Sequence, residues 1–289
     1  MEYLENDCLK IKINELGAEL AGVTGKKENT EFLWSGDAKY WAGRAPVLFP
    51  IVGSVKNNEY TIDGKKYILN RHGFARKSIF DITKVQGRSI TYELKYNEDT
   101  LKSYPYKFSL EIIYTLEGNT LTNTYRVKNL DSKAIYFGIG GHPAFSCPIN
   151  EGEAFSDCYL EFNKTENAGV MALNEEGLFS GETYGLLNNT NILDLHHDLF
   201  KHDALVFERL ESDMVALKSK KSDKSVEFYF DGFLSLGVWT VPGANYVCLE
   251  PWVTFADTVN STGDLRGKQD IIKLDSGEFS VSFKMAFYE

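Results

Sequence analysis

Hydrophobic residues recur at every second position over much of this chain, a period that suits strands and does not suit helices. Ile90, Tyr92, Leu94 and Tyr96 alternate with Ser89, Thr91, Glu93 and Lys95. Phe108, Leu110, Ile112, Tyr114 and Leu116 repeat the pattern, broken only by Ile113. After Glu117-Gly118-Asn119 the alternation resumes at Leu121, Tyr125 and Val127, which predicts a hairpin. Near the C-terminus Phe279, Val281, Phe283, Met285 and Phe287 share one face. Such alternation predicts antiparallel strands with one buried and one wet face. The best helical spacing is Ile192, Leu195 and Leu199, which predicts two turns over Ile192 to Lys201. There is no long helix and no regular βα alternation. Turn pairs such as Asp63-Gly64 are spread evenly, and no linker, repeat or low-complexity segment divides the chain. The expected fold is all-β: one domain over residues 1–289, built as a large antiparallel β-sandwich.

Hydrophobic residues make up 43% of the chain, enough for a core of that size. The 41 acidic against 31 basic residues leave a net charge of −10, which argues against a nucleic-acid surface and gives no reason to expect anionic membranes as partners. Met1 to Asn14 reads as a strand, and no 18 apolar residues run together, so a cytoplasmic location is expected. Cys8, Cys147, Cys158 and Cys248 show no CxxC pairing and read as free buried thiols. His196-His197 is the only histidine pair, and neighbouring side chains point different ways, so no metal site is expected. No pattern specifies an oligomeric state.

Four segments break the strand pattern by mixing Gly or Pro with reactive polar groups: Gly43 to Pro50, Asn70 to Arg76, Gly138 to Phe145 and Val247 to Trp252. Gly and Pro permit backbone that a regular strand does not adopt, often where a ligand approaches. Each has a plain structural reading when taken singly: a bulge at Gly140-Gly141, a strand end at Glu250, a satisfied histidine. Together they place two of five histidines in Gly/Pro-flanked apolar segments and one carboxylate between Leu249 and Pro251. A carboxyl group in that setting should have a raised pKa, which suits a general base.

The segments His72-Gly73-Phe74, Gly140-Gly141-His142-Pro143-Ala144-Phe145 and Cys248-Leu249-Glu250-Pro251-Trp252, in this order, resemble those of the aldose 1-epimerase (galactose mutarotase-like) superfamily. Arg44 to Pro50 and Val238 to Asn245 resemble its bacterial branch related to the LacX proteins of lactose operons. The resemblance covers nearly the whole chain. It implies an antiparallel sandwich with a sugar cleft and no cofactor or metal. It implies Glu250 as the base at the C1 hydroxyl and His142, with an imidazole titrating near neutrality, as the acid at the ring oxygen. The two should face each other across the width of a sugar ring. His72 would hold the ring oxygen or a neighbouring hydroxyl, and Arg44 would grip sugar hydroxyls. The family's further carboxylate falls near Asp203, although the order His202-Asp203 is the reverse of that in the mutarotases proper.

Arg76 in His-Gly-Phe-Ala-Arg also resembles hexose-6-phosphate 1-epimerases, where two arginines could clamp a phosphate. Arg71 reads more readily as a surface ion pair. Trp41, Trp239 and Trp252 offer stacking faces. The implied function is interconversion of sugar anomers, with a sugar or sugar phosphate as the only expected partner. The alternatives are a hexose-6-phosphate 1-epimerase, a non-catalytic sugar-binding protein, and a glycoside hydrolase using Asp203 and Glu250. The two histidine motifs weigh against the hydrolase.

Overall fold

The hairpin expected from the alternating runs forms between Phe108–Glu117 and Thr120–Asn129, closed by Gly118 and Asn119. The computed structural model describes residues 1–289. Along Thr120–Asn129, Leu121, Asn123, Tyr125 and Val127 are buried while the residues between them are half-exposed. The outer face is a polar ladder: Thr124 meets Ser282, and Arg126 pairs with Glu111 at 3.1 Å. The Glu278–Tyr288 strand continues the sheet and buries Val281, Phe283, Met285 and Phe287. Strand accounts for 51% of the chain and helix for 8%, as the period of two requires.

One sheet of 15 strands carries most of the strand residues, and every pairing within it is antiparallel. Its order runs from Val47–Leu48 and Gly140–Gly141 through Tyr246–Trp252, Ser235–Trp239 and Leu205–Glu208 to the long Cys158–Leu173 strand. It continues through Met214–Ser219, Ser225–Tyr229, Glu278–Tyr288, Thr120–Asn129, Phe108–Glu117 and Ser89–Lys95 to Asp81–Gln86. Gly141 and Tyr125 lie eight strands apart in that order, about 38 Å if the sheet were flat. Yet a Cβ on Gly141 would stand 2.9 Å from the Tyr125 hydroxyl and 3.1 Å from Phe283. The sheet therefore folds back on itself, and its inner faces enclose one apolar cluster reaching from Leu4 to Phe287. This is the expected sandwich. No helix is long and apolar enough to cross a membrane.

Two local expectations fail. No α-helix spans Ile192 to Lys201: the Phe179–Asp194 strand runs through Ile192, and a 3₁₀ turn follows at His197–Phe200. Leu193 and Leu195 are both buried and alternate with Asp194 and His196, so the period of two overrides the helical spacing. Cys8 is exposed, whereas Cys147, Cys158 and Cys248 are buried and free. The one α-helix, Glu98–Ser103, was not foreseen; Asn97 and Thr100 cap it reciprocally.

The folded-over end of the sheet positions the site. Tyr246–Trp252 pairs with Ser235–Trp239 on one side and with Ala144–Ser146 and Gly140–Gly141 on the other. All seven of its residues are buried, so any polar group on it sits in a dry setting.

Candidate functional site

Side chains two apart on a strand share a face, so Cys248, Glu250 and Trp252 point the same way. Gly237 lies opposite Glu250 in the register; a Cβ there would stand 3.2 Å from both the Glu250 Cβ and the Trp252 ring. The glycine thus clears the space these two side chains fill. Glu250 is 2% exposed, and its Oε1 lies 3.2 Å from Nε2 of His142. His142 follows the Gly140–Gly141 strand and packs among aromatic rings. Trp41 lies over its face at 4.8 Å between centroids, and Trp239 meets it edge-on at 5.6 Å.

His72 arrives from a different loop. It holds φ = +65°, unusual for a residue with a Cβ, and Gly73 follows at +71°. A Cβ on Gly73 would stand 2.2 Å from the Phe49 carbonyl oxygen, so only glycine fits. The His72 N–H donates to the Gly53 carbonyl at 2.8 Å, and the Gly53 N–H donates back to Nδ1 at 3.1 Å. Arg71 Nε approaches Nε2 at 3.3 Å. A neutral imidazole has only one acceptor nitrogen. Nδ1 faces the Gly53 amide and Nε2 faces the Arg71 guanidinium, so both ring nitrogens already meet donors and the neutral ring accepts through one of them. The His72 ring meets His142 edge-on at 5.8 Å.

Arg71 bridges to Asp203, Nη1 to Oδ2 at 3.2 Å, so the loop at 70–76 and the turn before Leu205–Glu208 close one wall. Asp203 itself sits at φ = +76° and accepts the Ala204 N–H through Oδ1. These residues line a cavity of about 190 Å³. That is below the roughly 300–1,000 Å³ of pockets for drug-sized ligands, so it suits one small polar molecule.

Burial sets the protonation of the site. It pushes the Glu250 carboxyl up to about 8; the Arg71 charge pulls the other way and Asp203 adds to the rise. Burial lowers His142 to about 3, and nearby Arg71 and Arg76 act in the same direction. It also holds His72 well below the usual histidine range, so this ring stays neutral. The raised carboxyl follows the sequence expectation, whereas the His142 imidazole does not titrate near neutrality. Its two-sided enclosure by aromatic rings leaves little to solvate a charge.

A family model described as aldose 1-epimerase matches residues 3–263. The chain belongs to the aldose 1-epimerase family. Within it, the chain is 35% identical over 280 residues to the chromosomal protein LacX of Lactococcus lactis, covering 94% of this chain and 93% of that one. A galactose mutarotase related enzyme from Lactobacillus acidophilus has the same fold, with a TM-score of 0.95 at 35% identity over 100% of this chain and 97% of the other. A galactose mutarotase-like protein from Lactobacillus casei matches with a TM-score of 0.94 at 28% identity, over 100% of both chains.

Of the residues singled out by resemblance to this family, Glu250, His142, His72, Asp203, Arg76 and Trp252 converge on the one cavity. Arg44 does not. Its guanidinium donates to the Ser35 carbonyl, while the backbone N–H groups of Arg44 and Ala45 donate to Glu19 Oε1 at 2.8 and 3.1 Å. Arg44 thus pins the loop that carries Trp41. Arg71, read as a surface ion pair, does form one with Asp203 and is 41% exposed, but the pair also lines the cavity. Beyond its place beside His72-Gly73, the sequence carried no signal for its part in the site. The spacing of His142 and Glu250 also differs from expectation: they touch rather than face each other across a ring. The ring oxygen and the C1 hydroxyl oxygen are bonded to the same carbon. Two groups serving those atoms therefore belong close together.

Proposed function

We propose that this cavity interconverts the α and β anomers of a hexose by acid–base opening of the pyranose ring. The observation that carries the reading is the buried contact between His142 Nε2 and Glu250 Oε1. Ring opening takes one proton from the C1 hydroxyl and gives one to the ring oxygen. The C1–O bond of the ring breaks as a carbonyl forms at C1. Rotation about C1–C2 and closure with the roles reversed gives the other anomer. Glu250 is the base and His142 the acid, so the pair needs only one proton between them. With the carboxyl raised and the imidazole lowered, that proton rests on the carboxyl group. The reaction starts from the charged arrangement, carboxylate and imidazolium, reached by passing that proton across the 3.2 Å contact. His72 lies on the cavity wall to meet a sugar oxygen, and Asp203 accepts from a hydroxyl. Trp41, Trp239 and Trp252 give the apolar ring faces something to lie against.

A second reading has its own support. Arg76 lines the cavity, its Nη2 donates to the Arg71 carbonyl, and its Nε is buried with no partner. No carboxylate pairs with it, so an anionic sugar such as a hexose 6-phosphate has a guanidinium to meet.

NMR exchange spectroscopy between the anomers of several hexoses and their 6-phosphates tests both readings. After subtraction of spontaneous mutarotation, Glu250→Gln and His142→Asn should each slow exchange by at least about 10²-fold. Sugar affinity should change far less, because both groups act in the transition state. If only the 6-phosphates exchange, the second reading holds. Equal rates for wild type and Glu250→Gln on every sugar leave a sugar-binding protein.

A further inference from the structure

We propose that His142, Cys248 and Glu250 form a three-ligand site for a thiophilic divalent cation such as Zn²⁺, and that the ion, once bound, blocks anomer exchange. One donor atom from each residue, imidazole nitrogen, thiol sulfur and carboxylate oxygen, lies within 4.8 Å of the other two. Cys248 and Glu250 share a face of one strand, and His142 comes from the loop beside it, so all three are fixed by the sheet. All three are buried.

A tetrahedral zinc ion with bonds of about 2.0–2.3 Å holds its ligands about 3.5 Å apart. From separations of up to 4.8 Å, side-chain shifts totalling about 1.3 Å would close these donors on an ion. Nitrogen, sulfur and oxygen are the atoms zinc takes in proteins, and three protein ligands leave its fourth position for water or a sugar hydroxyl. Two of the three ligands, His142 and Glu250, line the cavity from which water or sugar would reach that position. Binding displaces the thiol proton and the proton shared by His142 and Glu250 to solvent. The thiolate and carboxylate then neutralise the dication, which a dry site requires. The two groups that move protons become metal ligands. The metal site stands on the donor geometry alone; only its inhibitory consequence rests on the function proposed above.

Co²⁺ is the probe for the site. Wild-type protein should show a near-ultraviolet sulfur-to-cobalt charge-transfer band that Zn²⁺ abolishes by competition. Cys248→Ser and Cys248→Ala should both lack the band. Cys248 takes no part in the proton transfers, so both variants should keep wild-type exchange without metal. Zn²⁺ should inhibit wild type, EDTA should restore it, and the Cys248 variants should be at least about tenfold less sensitive. Should either Cys248 variant fold poorly, His142→Asn, which retains the thiol, should weaken the cobalt band at least about tenfold. A bound Co²⁺ without a thiolate band, or Zn²⁺ inhibition unchanged in the Cys248 variants, overturns the proposal. A wild type that shows the band but no exchange activity would refute the proposed function and leave the metal site standing.

Discussion

His142 and Glu250 titrate as a unit, because a proton on one is felt by the other across 3.2 Å. With His142 lowered to about 3 and Glu250 raised to about 8, the pair holds one proton through the whole neutral range. It rests on the Glu250 carboxyl group and has to pass to His142 before ring opening can begin. Above about 8 the pair loses this proton; a base remains, but its acid is gone. We therefore expect kcat/KM for anomer exchange to be flat across neutral pH and to fall above about 8, after correction for base-catalysed background. A rate that instead climbs through pH 8 would mean that Glu250 works alone as the base, with the proton supplied elsewhere.

At the scale of elements, the site depends on a loop as much as on strands. Residues 35–43 lie between two anchors, the Arg44 guanidinium on the Ser35 carbonyl and the Trp34 indole N–H on the Trp41 carbonyl at 2.9 Å. Between them Trp41 is laid over His142. Loss of Arg44 should act through this loop and not through a lost sugar contact. Arg44→Ala is expected to raise KM while kcat stays within about tenfold of wild type, about 1.4 kcal/mol in barrier. Combined with Trp41→Ala it should add little to the effect of Trp41→Ala alone, because both changes remove one support. Fully additive losses in that double-mutant cycle would return Arg44 to the role of a direct sugar ligand.

For the whole molecule, the dry end of the sandwich has a stability cost that depends on pH. The Glu250 pKa is raised, so its contribution is fully present below the ordinary carboxyl value of 4.5 and is lost as pH rises through about 8. Ionising it inside the fold removes stability, with a ceiling of about 5 kcal/mol at about 1.4 kcal/mol per pH unit. A neutral amide escapes that loss. Relative to wild type, Glu250→Gln should therefore gain stability between pH 5 and pH 9, read as a widening gap in urea midpoint or Tm. A gap of constant size at the two pH values would show that the carboxyl group is better solvated than its burial implies. The variant expected to be least active is thus also expected to be the more stable in alkali, a trade-off seen where function needs a strained group.

The all-β fold was legible because strand side chains alternate whatever the tertiary context. The pattern at Ile90 to Tyr96, Phe108 to Leu116 and Phe279 to Phe287 marked strands that the structure contains. Ile192 to Lys201 misled because three apolar residues met helical spacing while Leu193 and Leu195 also fitted a strand, and pairing with the Cys158–Leu173 strand settled the matter. The motifs named the residues of the site because glycine and proline mark backbone that has left the ladder. Their roles in space were not readable. That Arg71 points inward to Asp203 and Arg44 toward Ser35 follows from left-handed turns and loop anchors, which leave little trace in composition. That His142 touches Glu250, and that burial drives their pKa values apart, follows from a sheet folding back on itself. Sequence order fixes which residues lie on which strand; only the closed fold decides which strands meet and how much water remains between them.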